Sequence, residues 1–164
     1  MPKYLTELTV DTWGPTFWKL LHLQATLMGR GDPMVDDDSA NNLNFLILNL
    51  HTILPCKECG AHAKAYIFEH KFKPRGLVGE PLRSYVETYL MNFHNAVRLR
   101  KGQPVLISTI DQYHATWSTE KIIPCDDEDL KLYFDYGKTY GILEYTSLTR
   151  WLNVFRRQRL LLNF

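Results

Sequence analysis

Apolar side chains recur at helical spacing through the first hundred residues of the chain, and no alternating strand pattern interrupts them. The first segment runs from Asp11 to Met28, with Trp13, Phe17, Leu20, Leu21 and Gln24 on one face and Thr9 or Asp11 as a capping residue. Trp18 and His22, four apart, share a face of that helix. Gly29, Gly31 and Pro33 break the pattern. A second helix is expected from the acidic run Asp36–Ser39, whose carboxylates suit a helix N-terminus, through Leu43, Ile47, Leu50 and Leu54 to Pro55. It is apolar nearly all round and should be buried. A third begins with Pro55 at its first position, places Cys56 and Cys59 in its first turn and reaches about His70. The fourth shows the cleanest rhythm: Leu82, Tyr85, Val86, Tyr89, Leu90, Phe93 and Val97, opened by Pro81 and closed by Lys101-Gly102.

Four helices joined by short loops define an all-α fold, a four-helix bundle. Beyond it the pattern predicts a short fifth helix over Thr109–Trp117, a further one near Asp126–Tyr136, and a last helix over Tyr145–Leu162. In that last helix Leu148, Trp151, Leu152 and Phe155 form an apolar stripe beside Arg150, Arg156, Arg157 and Arg159. It reads as a helix packed on the bundle with a solvated basic face, with a docking surface for a partner protein and then membrane-surface contact as the alternatives.

Charge narrows the functional classes. With 19 basic and 18 acidic residues the formal net charge is +1, so the basic excess of a duplex nucleic-acid binder is missing. No run approaches the ~18 consecutive apolar residues of a membrane span. Met1-Pro2-Lys3-Tyr4 is not followed by a secretory or transit pattern, and the chain is expected to act in the cytoplasm where it is made.

The three cysteines, Cys56, Cys59 and Cys125, are too few to staple a fold of 164 residues. A C-x-x-C at a helix N-terminus has a direct chemical consequence. The helix dipole and unpaired N–H groups favour thiolate over thiol and prepare it for disulfide exchange, with Lys57 adding positive charge and Glu58 partly cancelling it. A structural zinc site is a competing reading, with Cys56, Cys59 and His62 completed by His70 or Cys125. A c-type haem is excluded because Gly60, not His, follows Cys59. A thioredoxin-like site would need a strand before the pair, where a helical pattern stands.

Three motifs in order decide among these. W-G-P-x-x-W-x-x-x-H spans Trp13, Gly14, Pro15, Trp18 and His22; L-P-C-K-E-C follows at Leu54–Cys59; and H-N-A-V-R-L-R-K-G-Q-P covers His94 to Pro104. Taken singly, Trp18 reads as core, His22 as a satisfied helix histidine, and His94 with Asn95 as a polar patch. Together they resemble the FAD-linked sulfhydryl oxidases of the Erv/ALR family, over about residues 11 to 108. The resemblance implies a core over residues 1–108, leaving a helical extension over 109–164.

The resemblance implies FAD at the open end of the bundle. Trp18 and His22 would line its flavin and adenine side from the first helix. His94 and Asn95 would hold the adenosine portion from the fourth, with Val97 packed beside it. Arg98 could reach a phosphate, and Gly14 and Lys101 would also bind the cofactor. The isoalloxazine would lie against the cysteine pair. Cys56 would exchange with a substrate dithiol, Cys59 would face the flavin, and molecular oxygen would take the electrons as hydrogen peroxide. The sequence departs from the family pattern at Arg98 and Gln103, where Asn and Lys are usual, and at Tyr89, where Trp is usual. Tyr85 and Ser108 stand where many members carry a structural disulfide. A second redox pair is missing and Cys125 is single, so electrons are expected directly from the dithiol of a thioredoxin-like or other redox protein. A short core of this kind looks like the sulfhydryl oxidases of large DNA viruses, acting in the host cytoplasm or virion, commonly as homodimers through the first two helices. The alternatives are a zinc-stabilised helical interaction module and an oxidase fold that has lost activity.

Overall fold

A computed structural model describes residues 10–118, 131, 134–135 and 143–164. Cys125 and most of the helix expected at Asp126–Tyr136 lie outside the described residues. All described elements are helical: α1 Val10–Leu27, α2 Pro33–Leu48, a 3-10 turn Leu50–Thr52, α3 Lys57–Glu69, α4 Gly79–Arg100, α5 Ile110–Trp117 and α6 Tyr145–Leu162. The all-α expectation holds, and α1 to α4 pack as the bundle, with α1 on α4 and α2 between α3 and α4.

The predicted stripes are the core. Trp13, Phe17, Leu20 and Leu21 of α1 are buried against Leu82, Val86, Leu90 and Phe93 of α4 and Leu43, Leu46 and Ile47 of α2, in one continuous cluster. Where the end of α1 meets the start of α4 the backbones touch. A Cβ on Gly29, which sits at φ +70°, would collide with the carbonyl oxygen of Gly79.

Two boundaries differ from expectation. α2 begins at Pro33, not in the acidic run, because Asp32 caps it by accepting hydrogen bonds from Met34 N (2.9 Å) and Val35 N (3.0 Å). Asp36 is instead buried one turn inside and accepts from Gly79 N at 2.7 Å, tying α2 to the start of α4. α2 also ends at Leu48, short of the Pro55 expected as its stop. There the Asn49 side-chain amide donates to the Phe45 carbonyl at 2.8 Å, and the chain turns through the 3-10 segment.

α3 is capped by a cysteine. Cys56 is extended (φ −156°, ψ 112°) and its Sγ accepts from Cys59 N at 3.2 Å, so the helix starts at Lys57 and Pro55 stands before the cap. Tyr85 and Ser108 make hydrogen bonds where a staple was missing. The Tyr85 hydroxyl accepts from Lys73 N (2.7 Å), and Ser108 N donates to Gln112 Oε1 (2.8 Å).

α6 lies on α2. Leu148, Trp151, Val154 and Phe155 are buried, Trp151 Nε1 donates to Leu46 O (3.1 Å), and the buried Gln158 bridges Ser39 O and Asn42. Arg150, Arg156 and Arg157 face solvent, as the packed-helix reading has it. Among the described residues no helix is long and apolar enough to cross a membrane.

Candidate active site

Cys56 and Cys59 form a disulfide at the start of α3, with Cα atoms 5.2 Å apart. The approach of the 3-10 turn sets its seat: a Cβ on Gly60 would come within 3.2 Å of His51 O. Cys59 opens onto a cavity of about 570 Å³, whereas Cys56 is not part of its wall. The two sulfurs therefore have different neighbours, one on the cavity and one outside it. Among the described residues no group of three His, Cys, Asp or Glu side chains converges as a metal site, and thiols joined in a disulfide are not zinc ligands.

Four helices wall the cavity. α1 contributes Gly14 and Trp18, α3 contributes Cys59, His62 and Tyr66 at helical spacing, and α4 contributes Phe93, His94, Val97 and Arg98, followed by Lys101. α5 supplies Trp117. A smaller cavity of about 140 Å³ shares His94, Arg98 and Trp117 and adds His22, Asn95 and Tyr113. The eight residues expected around a cofactor are thus brought to one end of the bundle: Gly14, Trp18, Val97 and Lys101 on the large cavity, His22 and Asn95 on the small one, His94 and Arg98 on both. Two of these also hold the chain that leads to α5. Asn95 Nδ2 donates to Ile107 O (2.6 Å) and Arg98 Nε to Pro104 O (2.8 Å).

The walls are flat rings in near-parallel pairs. Trp18 and His94 stack at 3.8 Å and 7°, His22 and Trp117 at 4.2 Å and 21°, and Tyr66 and Phe93 at 4.8 Å and 20°. Three cations, Arg98, Arg100 and Lys101, edge one side. Burial lowers the Lys101 pKa, and neighbouring Arg100 adds to that against the opposing pull of Asp11. Burial, then the charges of Arg98 and Lys101, holds the His94 imidazole down at about 4; burial, then His94, holds His22 well below its usual value. Both rings are neutral at physiological pH.

These residues suit a planar heterocycle joined to phosphate. Trp117 Nε1, on the large cavity, is buried without a hydrogen-bond partner among the described residues. A buried indole N–H of this kind needs an acceptor, and the ring faces and cations supply stacking and phosphate pairing. FAD has all three features.

Sequence reasoning missed Trp117, Tyr113, His62 as a cavity residue, and Tyr66. The available signals were local: Tyr113 and Trp117 are four apart on α5, and Cys59, His62 and Tyr66 fall three and four apart on α3, on one face.

A helical bundle that carries a redox-capable disulfide beside a ring-walled, cation-edged cavity defines a thiol–disulfide redox protein built around a planar cofactor. Over residues 15–118 the sequence matches the Erv1/Alr family, and the chain belongs to it. An FAD-linked sulfhydryl oxidase of African swine fever virus (isolate Pig/Kenya/KEN-50/1950) is 29% identical over 136 residues, covering 83% of this chain and 98% of the relative. That of the Warthog/Namibia/Wart80/1980 isolate is 28% identical over the same length and coverage. A protein of Invertebrate iridescent virus 6, provisionally named as an FAD-linked sulfhydryl oxidase, is 28% identical over 107 residues, 65% of this chain and 94% of its own. No solved structure gives a significant match.

Proposed function

We propose that this chain is an FAD-dependent sulfhydryl oxidase of viral type that makes disulfides in partner proteins. The observation that carries the reading is the placement of Cys59 on the ring-walled cavity with Cys56 outside it.

A substrate thiolate attacks Cys56 Sγ, the Cys56–Cys59 bond breaks, and Cys59 leaves as thiolate. The N-terminal dipole of α3 and its free N–H groups stabilise that charge. The substrate's second thiol then attacks the mixed disulfide and releases Cys56, so the substrate leaves oxidised and the pair stays reduced. When bound, FAD supplies two-electron acceptance from this dithiol and delivery to molecular oxygen as hydrogen peroxide. Gly14 would let α1 approach the ring system, and Trp18, Val97 and Trp117 would exclude water around it. His94 and Asn95 would fix polar edges, with His22 acting through its bond to His94, and Arg98 and Lys101 would pair with phosphate.

The substrate is a protein dithiol on a thioredoxin-like or other redox partner, in the host cytoplasm or the virion. Residues 1–108 serve as the oxidase core and 109–164 as an extension whose first helix closes the cavity. A homodimer through α1 and α2 would use the part of α2 that α6 leaves open, where Met34 and Leu48 are exposed.

The test is the visible spectrum of the purified full chain, followed by addition of a small dithiol in air with peroxide monitored. Yellow protein that bleaches, recovers and releases peroxide, and does none of these once Cys59→Ala is made, supports the reading. Colourless protein, or turnover unchanged in Cys59→Ala, sinks it.

A further inference from the structure

One buried side chain outside the three motifs faces the site without touching its larger cavity. Tyr113 of α5 is fully buried, and its hydroxyl lies 2.7 Å from Nδ1 of His22, which is also fully buried. Nε2 of His22 lies 3.1 Å from Nδ1 of His94. His94 stacks on Trp18 and lines both cavities. The three groups form one chain of hydrogen bonds from the α5 core to the cofactor cavity.

Such a chain has a direction. Run one way, Tyr113 O–H donates to His22 Nδ1, His22 Nε2–H donates to His94 Nδ1, and His94 is left with its proton on Nε2. Run the other way, His94 Nδ1–H donates to His22 and His22 Nδ1–H to the phenol oxygen. The phenol proton then needs a second acceptor. The Tyr113 hydroxyl has none among the described residues, since its one hydrogen bond is to His22. A buried donor left unmade is the costlier arrangement.

We infer that Tyr113 is a positioning residue that locks His22 and His94 in their Nε2–H tautomers, so that His94 offers a hydrogen-bond donor, not an acceptor, at the cofactor cavity. His94 Nε2 makes no hydrogen bond to any described residue, so this donor is free to meet a ligand. The site therefore selects a heterocycle presenting an acceptor, a ring nitrogen or carbonyl oxygen, at that edge. This last step rests on the FAD reading above; the tautomers do not. The depressed basicity of both imidazoles is consistent with the chain, since neither ring carries the second proton that would erase its direction. The raised pKa of Tyr113, caused by burial and then by Glu87, keeps its donor proton in place.

Nitrogen-15 NMR of the histidine-labelled full chain reads the tautomers directly, with flavin occupancy measured separately by absorbance. The expected wild-type spectrum shows His22 and His94 each with Nε2 protonated and Nδ1 bare. In Tyr113→Phe, His22 loses its donor and both rings redistribute between tautomers. FAD affinity then falls in proportion to the share of His94 left in the Nε2–H form, about twofold where the two tautomers become equally populated. Nδ1–H on His94 in the wild type overturns the inference whether or not the variant folds. So do unchanged tautomers in Tyr113→Phe. Expected tautomers in a protein that binds no FAD would leave the lock standing and strike the functional reading instead.

Discussion

Acid should loosen this fold through His94. The ring is largely buried, packed flat on Trp18, with Arg98 and Lys101 nearby, and its folded pKa is about 4. In the unfolded chain it would titrate near ~6.5. Between those values the unfolded state binds the proton and the folded state does not, so stability falls as pH drops below the unfolded value. The loss levels off only below the folded value. Each unit of difference is worth ~1.4 kcal/mol, so moving from about pH 7 to about pH 5 should remove roughly 2 kcal/mol through this one ring. His22 shifts in the same direction and adds to the loss.

The assay is urea unfolding of the oxidised, flavin-free chain at the two pH values, followed by tryptophan fluorescence. His94→Phe keeps a flat ring against Trp18 and removes the proton site. Its stability should fall less than that of the wild type between the two conditions, by about 2 kcal/mol. An unchanged pH dependence in His94→Phe would refute the argument, because it would mean that the folded ring protonates as readily as the unfolded one.

Three shorter tests address other parts of the structure. Trp151→Ala removes a fully buried indole and its hydrogen bond to Leu46 O, and should lower stability by about 3–5 kcal/mol in urea titration. Oxidation of a small dithiol in the cold should continue, since Trp151 lies away from the cavity wall. Gly29→Ala meets both a positive φ and the Gly79 carbonyl, and should cost more than about 1 kcal/mol by the same titration. Trp117→Leu keeps an apolar wall but loses the stack on His22 and the free indole N–H; flavin affinity should fall roughly tenfold by fluorescence titration.

How much of this was legible in the sequence differs by element. The rhythm of Leu82, Val86, Leu90 and Phe93 marked the buried face of α4, because a long amphipathic helix carries its own periodicity. The span of α6 was legible for the same reason. The start of α2 was misread because two signals competed. Asp32-Pro33 is a cap followed by a first-turn proline, yet the denser acids at Asp36–Asp38 look more like a helix entrance. Asp36 is spent on a partner 43 positions away, a contact that no local pattern reports. The cysteine pair, Trp18 and His94 were readable as motifs. Cys56 serving as a cap with its sulfur was not, since cysteine is no ordinary cap residue.

The clearest gap is α5, and its cause is physical. Eight residues carry too little pattern to disclose a role, and what fixes α5 is a pair of long-range polar contacts. Tyr113 bonds to His22 on α1, and His114 Nε2 lies 2.7 Å from the buried Glu87 carboxylate on α4. Two anchors on adjacent residues, reaching two different helices, fix both the position and the rotation of a short helix. Trp117, one turn further on, is thereby aimed at His22 and into both cavities. A carboxylate as buried as Glu87 is costly to leave unpaired, so its bond to His114 ties α5 to α4. Cofactor retention should accordingly depend on residues outside the cysteine and histidine motifs, through the set of α5 against α1 and α4.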